Sequence, residues 1–317
     1  MTSRSRAAQR ARLLVVALAT LLVLAPLAAH AATINGTNGN NKLNGTGRAD
    51  TIDGKGGNDR LAGKGGNDKL YGRAGNDTLL GATGLDVLDG GPGNDTLDGG
   101  TDADDLRAGE GNDVARGDTG NDKVGLGGGD DRGYGEAGND RVDGQTGDDR
   151  VEGGAGNDHL SGGDGADTLF GSTGDDEMDG GPGNDVIYPG SSDLTCNPAT
   201  TKQKWGCGNQ VTGDPGDDRI FLERGSLNKV YGEEGFNTIY NYPDADKDDL
   251  WCGWTRDQNY GKLVYYAPLD TPVPPAGSNY FGDNVRCCSI WLKDPDTGEE
   301  REWINDPQRI ICRPARP

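Results

Sequence analysis

Between residues 36 and 188 an apolar side chain returns every nine positions: Leu43, Ile52, Leu61, Leu70, Leu79, Leu88, Leu97, Leu106, Val124, Val142, Val151, Leu160, Leu169, Met178 and Ile187. Its two neighbours are mostly polar, as in Arg60-Leu61-Ala62 and Arg150-Val151-Glu152. One inward side chain between two outward ones predicts a three-residue strand. Between strands the chain reads Gly-x-x-Gly-Asn-Asp, most plainly in GKGGNDRLAGKGGNDKLYGRAGNDTLLG at 54–81. Gly and Asn tolerate positive φ, so these stretches are turns. So many glycines exclude a helix. Seventeen such units follow one another without an insertion or deletion.

A lone strand of three residues cannot bury its side chain, whereas stacked strands can. If the units alternate between two sides, two of them make one coil of eighteen residues, and stacked coils bury two inward rows. The seventeen units then form about eight and a half coils, a stack ~40 Å long at ~4.8 Å per strand. Ala115 and Gly133 fall at inward positions. A thin core, and the fastest amide exchange of the stack, are therefore expected over residues 108–134.

Two residues before each inward position stands an acid. Asp59, Asp77, Asp95, Asp113, Asp131, Asp149, Asp167 and Asp185 would line one edge of the stack. Asp50, Asp68, Asp86, Asp104, Asp122, Asp140, Asp158 and Asp176 would line the other, with Asn41 in place of the first acid. Carboxylates ~5 Å apart repel by ~1 kcal/mol in water and by several times more at a protein surface. Such files oppose stacking unless cations sit between the coils. Carboxylate and turn-carbonyl oxygens, without imidazole or thiolate, suit a hard ion. Ca2+ fits better than Mg2+, which demands strict octahedral geometry and keeps its waters.

Over residues 36–188 the units resemble the Gly-Gly-x-Gly-x-Asp-x-U-x nonapeptide of the repeats-in-toxin (RTX, hemolysin-type) calcium-binding proteins. The resemblance implies an all-β fold: a right-handed parallel β-roll, a calcium-binding β-solenoid with two nonapeptides per coil. It also implies Ca2+ between the turns of units i and i+2, held by Asp side chains and backbone carbonyls. That allows up to about fifteen ions, with partial filling expected, and assigns a metal role to all sixteen aspartates above. Arg48 and Asp102 replace the glycine two residues before Asp50 and Asp104, so those turns depart from the pattern.

Past residue 188 the register fails. Residues 189–203 read as an inserted loop. Over 204–240 the nonapeptide returns in degenerate form, with Asn209, Asp218, Asn228 and Asn237 at the acid position and Leu222 as one extra residue. Asn at three of these four positions predicts little calcium there. Residues 241–317 hold four of the six Cys, four of the five Trp and ten of the nineteen aromatics. Segments 262–266, 288–292 and 309–312 read as strands of a small disulfide-stapled β-rich C-terminal domain, whose simplest role is to cap the last coil. Cys196 is expected to pair with Cys207, and Cys287 and Cys288 each with Cys252 or Cys312.

Residues 1–31 read as a Sec-type signal peptide: Arg4, Arg6, Arg10 and Arg12, an apolar run over 13–27, and a cut before Ala32. No second apolar span follows, so no membrane span is expected after processing. The chain carries a net charge of −21, or −25 without the leader. This acidity argues against nucleic acid or anionic membranes and favours cations as partners. No His-Glu-x-x-His or Gly-x-Ser-x-Gly motif is present, which points away from an enzyme. His159, one residue past Asp158, reads as solvated surface. The preferred reading is a secreted, extracellular calcium-binding β-roll protein, structural or adhesive, that folds with extracellular Ca2+. An alternative is a carbohydrate or cell-surface binding protein using Trp251, Trp254, Tyr265 and Tyr266 of the C-terminal domain. A second alternative is a calcium-assisted polysaccharide-active enzyme.

Overall fold

The computed structural model describes residues 31–191, 208–223, 228–235, 237–241, 249–251, 262–266, 284–285, 289–293 and 300–304. The leader, all six cysteines with their expected pairings, and Trp254 lie outside these residues. The described residues form two sheets, of 13 and 14 strands, and no helix. No helix there is long and apolar enough to cross a membrane.

Within each sheet, neighbours are alternate strands of the sequence. Thr33–Asn35 pairs with Thr51–Asp53, which pairs with Lys69–Tyr71. Lys42–Asn44 pairs with Arg60–Gly65, which pairs with Thr78–Thr83. Every pairing is parallel except the last, in which Glu300–Ile304 returns antiparallel to Ser289–Lys293. Two nonapeptides thus make one coil, and the fold is an all-β parallel β-roll. The register carries each inward residue onto its counterpart eighteen positions on, as in Leu70 to Leu88 to Leu106. Apart from Gly133, every inward side chain from Ile52 to Ile187 is at most 2% exposed.

The strands are longer than three residues. From Thr78–Thr83 to Thr168–Thr173 most units pair over six, because the Gly-x-x segment forms a second short ladder. The pairing of Arg60–Gly65 with Thr78–Thr83 skips Gly63, where the chain turns a corner. The residue after that corner is left-handed even without glycine: φ is 85° at Lys64 and 76° at Gln145. L residues disfavour this region, and here the ladders on either side hold them in it. An additional unit precedes the first one visible in sequence. Ile34, on Thr33–Asn35, packs on the core and is the partner of Ile52. Periodicity missed it because Ala32 stands where the acid would be.

The expected thin core at 108–134 is corrected. Leu126 stands at a position held by glycine in most units, and both it and Ala108 are fully buried. A Cβ placed on Gly133 would lie 3.0 Å from a Leu126 methyl and 2.7 Å from Cγ1 of Val142. Leu126, on one sheet, fills the space that Gly133 leaves on the other. Leu126→Ala is therefore expected to cost ~2–5 kcal/mol, read as a lower urea midpoint in calcium, with no side chain opposite to close the cavity. Gly133→Ala is expected to destabilise by overpacking.

Coil-to-coil spacing rises to 33 residues between Asp185 and Asp218, then settles at 19 between Asp218 and Asn237, with Leu222 buried. Beyond residue 241, the strands Asp249–Trp251, Lys262–Tyr266, Asn284–Val285 and Ser289–Lys293 form no sheet of their own. They add to the two existing sheets, in the registers Val230 to Leu250 to Val285 and Ile239 to Leu263 to Ile290. The register thus continues after the nonapeptide spacing is lost.

Candidate metal-binding edges

Each turn brings its Asp to the corner where coil stacks on coil. All sixteen aspartates, from Asp50 to Asp185, are at most 4% exposed. They form two files, one per sheet, as their parity in the sequence predicted. Within a file, Oδ1 of each carboxylate accepts the backbone N–H of the residue at the same position one coil earlier, which is Ala32 for Asp50, Asn41 for Asp59 and an Asp for all the others. Asp59 N to Asp77 Oδ1 is 2.7 Å, Asp68 N to Asp86 Oδ1 is 2.7 Å, and Asp149 N to Asp167 Oδ1 is 2.7 Å. Outside this ladder runs another, of the Asn in Gly-Asn-Asp. Asn76 N donates to Asn58 Oδ1 and Asn94 N to Asn76 Oδ1, both at 3.1 Å. Sequence reasoning took these asparagines for turn formers only; their side chains join successive turns.

The second oxygen, Oδ2, is different. In Asp59 and in every later member of both files through Asp185, it is buried and has no hydrogen-bond partner. Asp218 continues one file: Asp185 N donates to its Oδ1 at 3.0 Å, and its Oδ2 is likewise unpartnered. Asp50, at the open end, is satisfied by the Thr46 N–H and hydroxyl. An unpaired buried carboxylate oxygen is costly. Burial is the main cause of the upward pKa shifts; the N–H donor pulls back, and the acids of adjoining coils push further up. Asp86, Asp122, Asp158 and Asp185 reach about 6. Asp95, Asp104, Asp131, Asp149, Asp167 and Asp176 reach about 7, and Asp218 about 8. Asp50 goes the other way: the donors Ala32 and Thr46, with Lys64, outweigh burial and lower it.

These orphaned oxygens fit a cation. A Cβ placed on Gly72 would lie 2.4 Å from Oδ2 of Asp77 and 2.7 Å from the carbonyl oxygen of Gly90. Carboxylate and carbonyl thus converge where only glycine leaves room. Among the described residues no three acidic, His or Cys side chains form a metal cluster, so backbone carbonyls must complete any site. Asparagine at the acid position points the same way. Asn237 accepts from Asp218 N as an Asp would, but its Nδ2 donates to the carbonyl of Gly232. Asn209 Nδ2 donates to the Gly190 carbonyl at 3.2 Å. Where the amide supplies its own positive hydrogen the site is satisfied, and where a carboxylate stands a cation is needed.

Two units depart from this cradle. Ala108 and Leu126 replace the glycine five residues before Asp113 and Asp131, adjacent members of one file, so this step offers a cation the least room. Asp102, at φ 77°, keeps its turn: its Oδ2 accepts Gly84 N at 3.2 Å, and its charge helps push up Asp86 and Asp104. His159 is half-buried, its Nδ1 3.3 Å from Oε2 of Glu177.

The profile of the RTX calcium-binding nonapeptide repeat matches residues 35–70, 71–106, 98–132, 125–160, 134–169 and 161–193. The chain belongs to this family. RTX nonapeptide repeats bind Ca2+, so calcium ions are the partners of this roll. A search of curated proteins finds no match to the chain. In the RTX roll the residues able to hold Ca2+ are the Oδ2-orphaned aspartates with the carbonyls of their turns, and the ion would neutralise the two files.

The Asn237 geometry yields a graded prediction. Asp149→Asn keeps the Oδ1 acceptor and supplies its own donor, so it is expected to lower the bound calcium count while leaving the roll folded. Asp149→Ala also strips the Asp131 N–H of its acceptor and is expected to raise the calcium needed for folding several-fold more. Calcium titration followed by circular dichroism, with direct ion counting, separates the two. Equal effects would show that the Oδ1 ladder contributes nothing.

Proposed function

We propose that this protein is a secreted calcium-binding β-roll, structural or adhesive in role, whose folding is coupled to extracellular Ca2+. The observation that supports this best is the pair of buried files of carboxylates, each with one oxygen bonded to the backbone and one without a donor. Because the site is assembled only when coils stack, the binding free energy of each ion becomes folding free energy. Each ion joins two coils, so binding is cooperative. The fifteen aspartates from Asp59 to Asp185 act as ligands, with occupancy short of about fifteen ions, whereas Asp50, of the sixteen expected, already has its Oδ2 satisfied by Thr46. The chain is read as non-enzymatic, since the acids are committed to the stack.

The test is a calcium count on the full chain after gel filtration, combined with its hydrodynamic radius. Several ions per chain with a contraction on loading are expected; binding without contraction overturns the coupling. For secretion, mass spectrometry of the culture medium is expected to find a chain beginning at Ala32.

A further inference from the structure

The two files end differently where the roll opens. In the file of Asp59, Asn41 stands first. Its Oδ1 accepts the Thr37 N–H at 2.6 Å and its Nδ2 donates to the Gly39 carbonyl, so this end is neutral. In the other file Asp50 stands first, a side chain in a residue only 3% exposed. Its Oδ2 accepts the Thr46 N–H and hydroxyl at 2.5 and 2.9 Å, and its Oδ1 accepts the Ala32 N–H at 2.5 Å. Three donors supply both oxygens, which favours the ionised carboxylate.

Ala32 holds the place that an Asp holds in the coils after it. Eighteen residues on, Asp50 N makes the same bond to Asp68 Oδ1 at 2.6 Å. The Ala32 carbonyl accepts the Thr51 N–H at 2.8 Å, so both backbone groups of Ala32 are tied to the second coil of its sheet. Ala31 is exposed, so no packed side chain is lost with it. Lys64 lies by the same corner, but its Nζ donates to the Gly45 carbonyl at 2.8 Å.

The leader sequence and the register of the roll are independent features, and they meet at this residue. The cut read from residues 1–31 falls at the one nitrogen that donates to Asp50 Oδ1. Hydrolysis of the Ala31–Ala32 bond adds one water, leaving a carboxylate on Ala31 and an ammonium on Ala32. An α-amino group ionises near ~8 in water, and a carboxylate beside it favours the charged form further. We propose that Asp50 is the binding site of the mature chain's own α-ammonium, which closes the open end of this file in place of calcium. The proposal rests on the secreted reading above, through the cut before Ala32. Removal of the leader then strengthens the first coil, at the end where the stack is open.

The test compares amide exchange, in calcium, of a chain that begins at Ala32 with one that keeps Ala31. Both are made with set N-termini and otherwise run to residue 317. The chain that begins at Ala32 is expected to protect Thr33–Asn35 and Thr51–Asp53 ~threefold or more better. Both are expected to protect His159–Asp164 alike. Asp50→Asn keeps the Oδ1 acceptor without the charge, so in that background the two chains are expected to protect the first coil equally. Where Asp50→Asn does not roll up, as read by circular dichroism, acetylation of the unsubstituted chain decides. Only the free amine reacts, so the Ala32 amine is expected to be acetylated ~tenfold more slowly in calcium than in urea. Equal protection of the first coil in the two unsubstituted chains, a difference that survives Asp50→Asn, or equal acetylation rates would overturn the proposal alone. A chain in the medium that begins at another residue would overturn the cut, and the proposal with it.

Discussion

Chelating calcium from the full chain is expected to abolish its β-sheet circular dichroism, and restoring calcium to bring it back cooperatively with a midpoint of ~0.1–1 mM, the range of extracellular calcium modules. Each nonapeptide buries one inward side chain, little core against ~1–2 kcal/mol of backbone entropy per residue. Without cations the coils must also bury like charges in file, with Oδ2 of Asp59 and its successors unpaired. Calcium reverses the sign of both electrostatic terms. A spectrum unchanged by chelator would defeat the mechanism.

Protons should partly replace calcium. The folded-state pKa values of about 6 to 7 at Asp86, Asp95, Asp149 and Asp167 lie above the unfolded value of 3.8. A carboxyl raised on folding binds protons more tightly in the folded state. Its contribution is therefore fully present below pH ~4 and is lost as pH rises through ~6–7. In chelator, the metal-free chain is expected to gain β structure as pH falls from 7.5 toward ~4.5, as files of like charge become files of neutral acids. In calcium, the same protonation competes with the ion, so the calcium midpoint is expected to rise as pH drops below ~7. Asp→Asn changes within the files should flatten both dependences. A metal-free chain still unfolded at pH ~4.5, or a calcium midpoint indifferent to pH, would show that the file carboxylates do not control folding.

Much of this was legible because the fold is nearly one-dimensional. A period of nine with one apolar and one acidic position places every inward Leu and every edge Asp, since each coil contacts only its neighbours. Asp59 and Asp77 could be assigned to one file by counting alone. Degenerate units were harder. Ile34 was passed over because Ala32 broke the motif, and Asp218 was discounted among its Asn neighbours although it extends a file.

The repeat by itself determined the secondary structure, the coil length, the two files and the kind of ion that suits them, because these follow from local turn chemistry and a strict period. Three things were decided only by the stacked coils. The Leu126 side chain crosses the roll to fill the space beside Gly133, a contact between sheets that no single unit encodes. The division of labour between Oδ1 and Oδ2 depends on a backbone N–H eighteen residues away. The column of stacked rings formed by Phe170, Tyr188, Phe221 and Tyr240 arises from register, which places residues of separate coils ~4.8 Å apart. Each depends on which residues of different coils come to lie together, and that is fixed by stacking geometry rather than by the nonapeptide.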